Sequence, residues 1–236
     1  MDRFAEMIAD FMDKIINADS LTVLKQLPDK CIDLILTDPP YGINVSKSVY
    51  NVEAGQKRSH NAKAVAGTYK HADWDSDIPT KEYFDEMERV AKHRIIFGGN
   101  YFTEYLKPSS GWIFWDKNNG TNDFGDGELA WTDFNKAIRK YQYTWNGMLQ
   151  EDMKNKEIRI HPTQKPVGLL MKILRDYSEP GWLVMDPFSG SGSTAIACER
   201  WGLPFICVER DVDYYKVSIK RLDDERKQLN LFNGRY

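Results

Sequence analysis

The sequence predicts an α/β protein whose strands form a doubly wound, mostly parallel sheet. Three observations carry that reading. Strand-like and helix-like stretches alternate at both ends of the chain, the pattern of βα units rather than of hairpins. The run Cys31-Ile32-Asp33-Leu34-Ile35-Leu36-Thr37 is apolar almost throughout, as befits a strand covered on both faces. Two Gly- or Pro-rich turns, Asp38-Pro39-Pro40-Tyr41-Gly42 and the stretch from Asp186 to Thr194, each follow such a strand, where open α/β sheets hold their ligands.

The elements follow in order. Phe4, Met7, Ile8, Phe11 and Met12 fall on one stripe of a helix. Lys14-Ile15-Ile16-Asn17 reads as a short strand ending at Asp19, and 31–37 as the buried strand stopped by the two prolines. From Ile43 to about Ile78 the chain is polar, without periodicity, and reads as one long basic loop; loops of that length inside a domain usually serve a function. A helix over 80–92 opens with Thr80 as its capping residue. Strands are expected at Arg94–Phe97 and Trp112–Trp115, followed by an aromatic, basic segment, 117–160, with short strands. The remainder reads as helix 167–177, strand 182–185, the glycine turn, helix 194–201, strand 204–208 and a charged helix from about 212 to 228. All 236 residues form a single catalytic domain in this reading, with 43–78 and 117–160 as candidate recognition segments.

Composition narrows the function classes. With 42% hydrophobic and 28% charged residues, the chain is neither disordered nor collagenous. Its mean hydropathy is −0.57, and no apolar run reaches the ~18–20 residues of a membrane span, so no membrane association is expected. The opening MDRFAEMIADFMDK alternates acid, base and apolar residues, unlike a signal peptide. Cys31, Cys198 and Cys207 form no CxxC pair, which fits buried thiols in a reducing cytoplasm. The four histidines lack zinc-ligand spacing, and no metal is expected. Net charge is −3, yet cations cluster. Lys47, Lys57, Arg58, Lys63 and Lys70 face Glu53 alone across 44–70, and Arg139 and Lys140 belong to a second basic stretch, 136–165. Two positive zones on an acidic chain suit a polyanion bound on one face, or are solvated loops.

The two turns carry the chemistry. In Asp186-Pro187-Phe188-Ser189-Gly190-Ser191-Gly192-Ser193-Thr194, glycines permit a ligand to approach the backbone. The turn has neither the Lys-Ser/Thr of a phosphate-binding loop nor GxGxxG spacing. Glu209 ends the next strand, where a carboxylate can accept hydrogen bonds from both hydroxyls of a ribose. In Asp38-Pro39-Pro40-Tyr41 the prolines fix φ and remove two donors, leaving a stiff arch with an acceptor at one end and a flat ring at the other. That suits an exocyclic amino group on a planar heterocycle. Each turn alone is equally a plain strand-terminating turn.

Together, Asp-Pro-Pro-Tyr-Gly and Asp-Pro-Phe-x-Gly-x-Gly-x-Thr resemble the amino-group DNA methyltransferases, which act on adenine N6 or cytosine N4. The tetrad precedes the glycine loop, an order similar to the family's β-class, a circular permutation. Asn17-Ala18-Asp19-Ser20, Phe97-Gly98-Gly99-Asn100-Tyr101-Phe102, Trp112–Lys117 and His161-Pro162-Thr163-Gln164-Lys165-Pro166 also resemble family landmarks, so the likeness spans most of 14–225. It implies a Rossmann-like, S-adenosylmethionine-dependent methyltransferase fold. Asp186, Phe188, Gly190, Gly192 and Thr194 would surround S-adenosylmethionine. Glu209 would take its ribose, Asp19 its adenine amino group, and Thr163 and Lys165 its methionine part, unless the last two only cap the helix near Val167. At Asp19 the chain has Ala-Asp where the family often has Gly-Asp.

Asp38, Pro39, Pro40 and Tyr41 would grip a base flipped out of double-stranded DNA. First-position Asp resembles the adenine-N6 members, whereas cytosine-N4 members more often carry Ser. Phosphate contacts are expected from Lys47, Lys57, Arg58, Lys63, Lys70, Arg139 and Lys140. The aromatics Trp131, Tyr141, Tyr143 and Trp145 are expected to pack in the core. A catalytically silent DNA-binding subunit is the non-enzymatic alternative, and a homodimer and a restriction-modification setting are compatible with so little separate recognition sequence.

Overall fold

The computed structural model describes residues 3–43, 78–120, 125–146, 149–161 and 163–233. Among these described residues, ten strands and six α-helices follow in order: α1 (Arg3–Phe11), β1 (Lys14–Asn17), α2 (Ser20–Gln26), β2 (Ile32–Thr37), α3 (Lys81–Val90), β3 (Ala91–Phe97), β4 (Trp112–Asp116), β5 (Gly127–Thr132), β6 (Arg139–Gln142), β7 (Trp145–Asn146), β8 (Leu149–Gln150), α4 (Val167–Tyr177), β9 (Val184–Asp186), α5 (Ser193–Trp201), β10 (Phe205–Glu209) and α6 (Val212–Asn233). A 3-10 turn, Gly99–Tyr101, follows β3.

Eight strands form one sheet in the order β1-β10-β9-β2-β3-β5-β4-β6, and β7 and β8 form a separate antiparallel pair. Only β5 runs against its neighbours, so the sheet is mostly parallel, as the sequence predicts. Side chains leave β2 alternately for the two faces. Leu34 and Leu36 join a core shared with α4, α5 and α6, whereas Ile35 between them joins one shared with α2 and α3, against which α1 also packs. Covering both faces is what requires an unbroken apolar strand.

The join between β9 and β2 fixes where a ligand can bind. The chain passes from β2 to β3 on one side and from β9 to β10 on the other. Loops leaving these two adjacent parallel strands therefore diverge, opening a crevice at their carboxyl ends. Beyond β10 the half-sheet is completed by β1, near the other end of the sequence, paired in parallel from Lys14↔Ile206 to Asn17↔Glu209. The Asn17 amide reinforces that seam by donating to the Glu209 and Arg210 carbonyls at 2.9 and 3.1 Å. A half-sheet assembled from both ends of the chain is the arrangement a circular permutation produces.

Some sequence expectations shift. Asp19 does not merely end a strand: its carboxylate accepts from the Thr22 N–H at 3.1 Å and caps α2, a seven-residue helix the periodicity did not reveal. Thr80 stands at the N-cap position of α3 without a side-chain capping bond. The strand expected from Trp182 begins at Val184, because the Trp182 N–H closes a turn onto the Glu179 carbonyl. Within 117–160, β5 lies inside the sheet between β3 and β4. Trp131, Tyr141, Tyr143 and Trp145 are buried as expected. Their polar ends are used where this matters: the Trp131 N–H donates to the Lys107 carbonyl and the Tyr141 hydroxyl to Asp176.

Candidate active site

β2 delivers Asp38 to the crevice, and the two prolines leave no backbone N–H to continue the ladder. Both Asp38 carboxylate oxygens are engaged: the Tyr41 hydroxyl donates to Oδ1 and the Lys165 ammonium to Oδ2. Lys165, only 6% exposed, precedes α4 by two residues and also approaches Glu128 Oε2 on β5 at 3.1 Å. Glu128 Oε1 in turn meets Lys117 at 2.5 Å. The result is a line of charges: Asp38, Lys165, Glu128, Lys117. Burial pushes the Asp38 carboxyl up, with the Lys165 charge opposing. Burial also disfavours charge on Lys165, but Asp38 and Glu128 outweigh it and hold the ammonium above its ordinary value. For Glu128, burial is outweighed by Lys165 and Lys117, and its carboxyl lies low.

The Tyr41 ring is held in place on two sides. Tyr101 stacks on it with centroids 4.9 Å apart, and Gly98, at φ +66°, lies so close that a Cβ there would stand 2.1 Å from the ring. Phe102 meets the same ring edge-on at 6.0 Å.

The glycine turn is built around Asp186, the last residue of β9. Its Oδ1 accepts from the Thr37 hydroxyl at 2.7 Å and the Phe188 N–H at 3.0 Å, and its Oδ2 accepts from the Thr194 hydroxyl at 2.6 Å. Burial still raises this carboxyl to about 6, because hydrogen bonding offsets the desolvation of its charge only in part. Gly190, at φ +50°, donates its N–H to Glu209 Oε2 at 2.7 Å. Glu209 Oε1 accepts from the Asp211 N–H at 2.7 Å, and burial raises its carboxyl. Tyr83, on α3, donates to Asp19 Oδ2 at 3.1 Å and places its ring 5.6 Å from that of Phe188. Burial lowers His161 to about 3, keeping it neutral beside Thr163.

The proline arch and the glycine turn border one cleft of about 790 Å³, within the size range of small-molecule sites. Asp19, Asp38, Pro39, Pro40, Tyr41, Thr163, Lys165, Asp186, Phe188, Gly190, Thr194 and Glu209 all line it. Gly192 does not; it packs against α6 and β1, where a Cβ would stand 3.0 Å from Ser218 and 3.2 Å from Ile15. Arg139 and Lys140 lie on the edge strand β6, beside a separate surface depression with Lys172 and Arg175. Lys140 is paired with Asp116 at 2.7 Å. Lys47, Lys57, Arg58, Lys63 and Lys70 lie outside the described residues. Sequence reasoning missed Thr37, Tyr83 and Glu128. The only local signal for any of them was an acid at the start of a β-prone run, Gly127–Thr132.

Comparison with known proteins agrees with this architecture. A family profile described as DNA methylase, of the N6/N4 type, matches residues 104–220. The type II methyltransferase M.HinfI of Haemophilus influenzae is 27% identical over 95% of this chain and 72% of its own length. Two solved structures share the fold. A crystal structure of an M1.HpyAVI–SAM complex superposes with a TM-score of 0.53 at 24% identity, covering 89% of this chain and 99% of that one. PvuII DNA methyltransferase, described as cytosine-N4-specific, gives 0.56 at 16% identity, covering 93% and 91%. Across residues 104–220 the chain is similar to the amino-group DNA methyltransferase family.

Proposed function

We propose that this chain transfers a methyl group from S-adenosylmethionine to the N6 amino group of adenine in double-stranded DNA, after the base is flipped out of the duplex. The supporting observation is the single cleft, in which the proline arch and the glycine turn lie at the ends of adjacent strands β2 and β9. Its lining suits a nucleoside cofactor: the Tyr83 and Phe188 rings offer apolar faces, and Asp19 and Glu209 offer acceptors. Thr163 and Thr194 line the same cleft. When bound, S-adenosylmethionine supplies an activated methyl group.

The chain's own residues prepare the acceptor. The amino lone pair of adenine is delocalised into the ring and attacks poorly. Asp38 and the Pro39 carbonyl would accept its two hydrogens, favouring a pyramidal nitrogen and stabilising the positive charge that develops there. Asp38 need not remove a proton before attack. Holding the reactants in one geometry can supply roughly 7–11 kcal/mol. Flipping the base costs a few kcal/mol, which stacking on Tyr41 offsets in part. Phosphate contacts are assigned to the basic residues of 43–78 and to Arg139 and Lys140, and a homodimer is compatible with the size of the chain.

Aspartate at position 38 favours adenine over cytosine. The test is product identity: DNA methylated by the protein is digested to nucleosides and weighed. N6-methyladenine is expected, and N4-methylcytosine as the sole product would overturn the adenine assignment while leaving amino-group transfer standing.

A further inference from the structure

Within the function proposed above, on which this inference rests, we propose that Glu128 is a positioning residue: it takes over the Lys165 ammonium when the target amino group takes Asp38. Three parts of the chain bring these groups together, since Asp38 follows β2, Glu128 lies on β5 and Lys165 precedes α4. Lys165 Nζ touches both carboxylates, Asp38 Oδ2 and, at 3.1 Å, Glu128 Oε2. Among the described residues these are the two acidic partners of Lys165.

The arrangement poses a chemical problem that Glu128 solves. In the structure both Asp38 oxygens already accept, one from Tyr41 and one from Lys165. An incoming amino group competes for the same lone pairs, and an ammonium held on Asp38 would oppose positive charge growing on the acceptor nitrogen. Lys165 is too buried to release its charge into water. Glu128 offers a second carboxylate within reach, so the ammonium can lean toward it without being left unpaired. Lys117, at 2.5 Å from the other Glu128 oxygen, keeps Glu128 ionised in this burial.

The groups facing this centre are Tyr41 on the arch, Tyr101 after β3, Lys117 after β4, Glu128 on β5, His161 and Lys165 before α4, and Asp186 at the end of β9. Of these, Glu128 is a cause that raises the Asp38 carboxyl, and Lys165 one that lowers it. Removing the Glu128 charge leaves Lys165 to Asp38 alone, and the acidic limb of the rate profile must move to lower pH.

The experiment compares kcat against pH for the full chain, Glu128→Gln, Glu128→Asp and Lys117→Met, using methyl-labelled S-adenosylmethionine and duplex DNA, with cofactor affinity measured by calorimetry. Glu128→Gln is expected to lower kcat at least tenfold, to move the acidic limb down in pH and to change cofactor affinity less than threefold, with partial recovery in Glu128→Asp. Lys117→Met, which lets Glu128 take up a proton, is expected to move the limb down as well, and it provides the decisive shift if Glu128→Gln does not fold. An unmoved limb in the folded variants would overturn the role of Glu128 even if kcat fell. If the unaltered chain transfers no label, the proposed function fails and this role with it; transfer by the unaltered chain separates the two failures.

Discussion

Thr37, the last residue of β2, donates its hydroxyl to Asp186, the last residue of β9, at 2.7 Å. The bond spans 149 residues of sequence and joins the two strands whose ends become the proline arch and the glycine turn. The same carboxylate holds the Thr194 hydroxyl at the start of α5. Asp186 therefore fixes the spacing between the two halves of the cleft, and its raised pKa records the cost of keeping a carboxylate there.

That cost predicts a pH dependence. Asp186 titrates near 6 in the fold and near 3.9 in an unfolded chain. Between those values the folded state binds more protons, so stability from this group is fully present below the unfolded value and is lost as pH rises toward 6. Over pH 5 to 7 the loss is about 1 kcal/mol. Asp186→Asn removes it. Urea midpoints at the two pH values should show the variant gaining on the parent by about that amount at pH 7; a difference independent of pH would contradict the assignment.

Gly98 sets the position of Tyr41. An alanine there must adopt a left-handed backbone, costing roughly 1–2 kcal/mol, and must displace the ring, because no Cβ can sit 2.1 Å from it. Gly98→Ala should lower kcat at least tenfold while leaving cofactor affinity within a few-fold, as separate turnover and calorimetric measurements would show. Unchanged kcat in the folded variant would dissociate the ring from turnover.

The two glycines of the turn should fail differently. Gly190 has open space around an added Cβ, with His161 at 3.8 Å, but its positive φ and its N–H bond to Glu209 belong to the cleft. Gly192 faces the core instead. Gly190→Val is expected to lose cofactor binding in a chain that still unfolds cooperatively, and Gly192→Val to lower the melting temperature by several degrees. The reverse pattern would exchange their roles.

If the five cations of 43–78 each meet a phosphate, DNA affinity should fall roughly 500-fold between 50 and 200 mM salt. Neutralising Lys57, Arg58 and Lys63 together should flatten the salt slope by about three contacts. A slope unchanged in that variant would place the phosphates elsewhere.

Much of this was legible in the sequence, for reasons specific to each element. The helix Val167–Tyr177 and the strand Lys14–Asn17 announce themselves because their periodicity and length are local properties. The two turns are legible because prolines and glycines dictate backbone geometry wherever they fall. By contrast, α2 offers only seven residues, too few for a stripe, and its signal is the capping Asp19 alone. Glu128 was hidden because its meaning depends on β5 lying between β3 and β4, a pairing no local pattern encodes. The contact between Lys165 and Asp38, 127 residues apart, likewise exists only once the sheet has formed. The sequence suggested that Lys165 lines the cofactor site or caps a helix; it lines the cleft, and its ammonium rests on Asp38.

The most direct measurement is a single-turnover transfer of labelled methyl from S-adenosylmethionine to duplex DNA, made in parallel for the parent chain and Asp38→Ala, with cofactor binding determined on the same preparations. The account predicts label in DNA from the parent, and from the variant a loss of at least about a thousandfold with cofactor binding retained within a few-fold. Near-normal transfer by Asp38→Ala would contradict it.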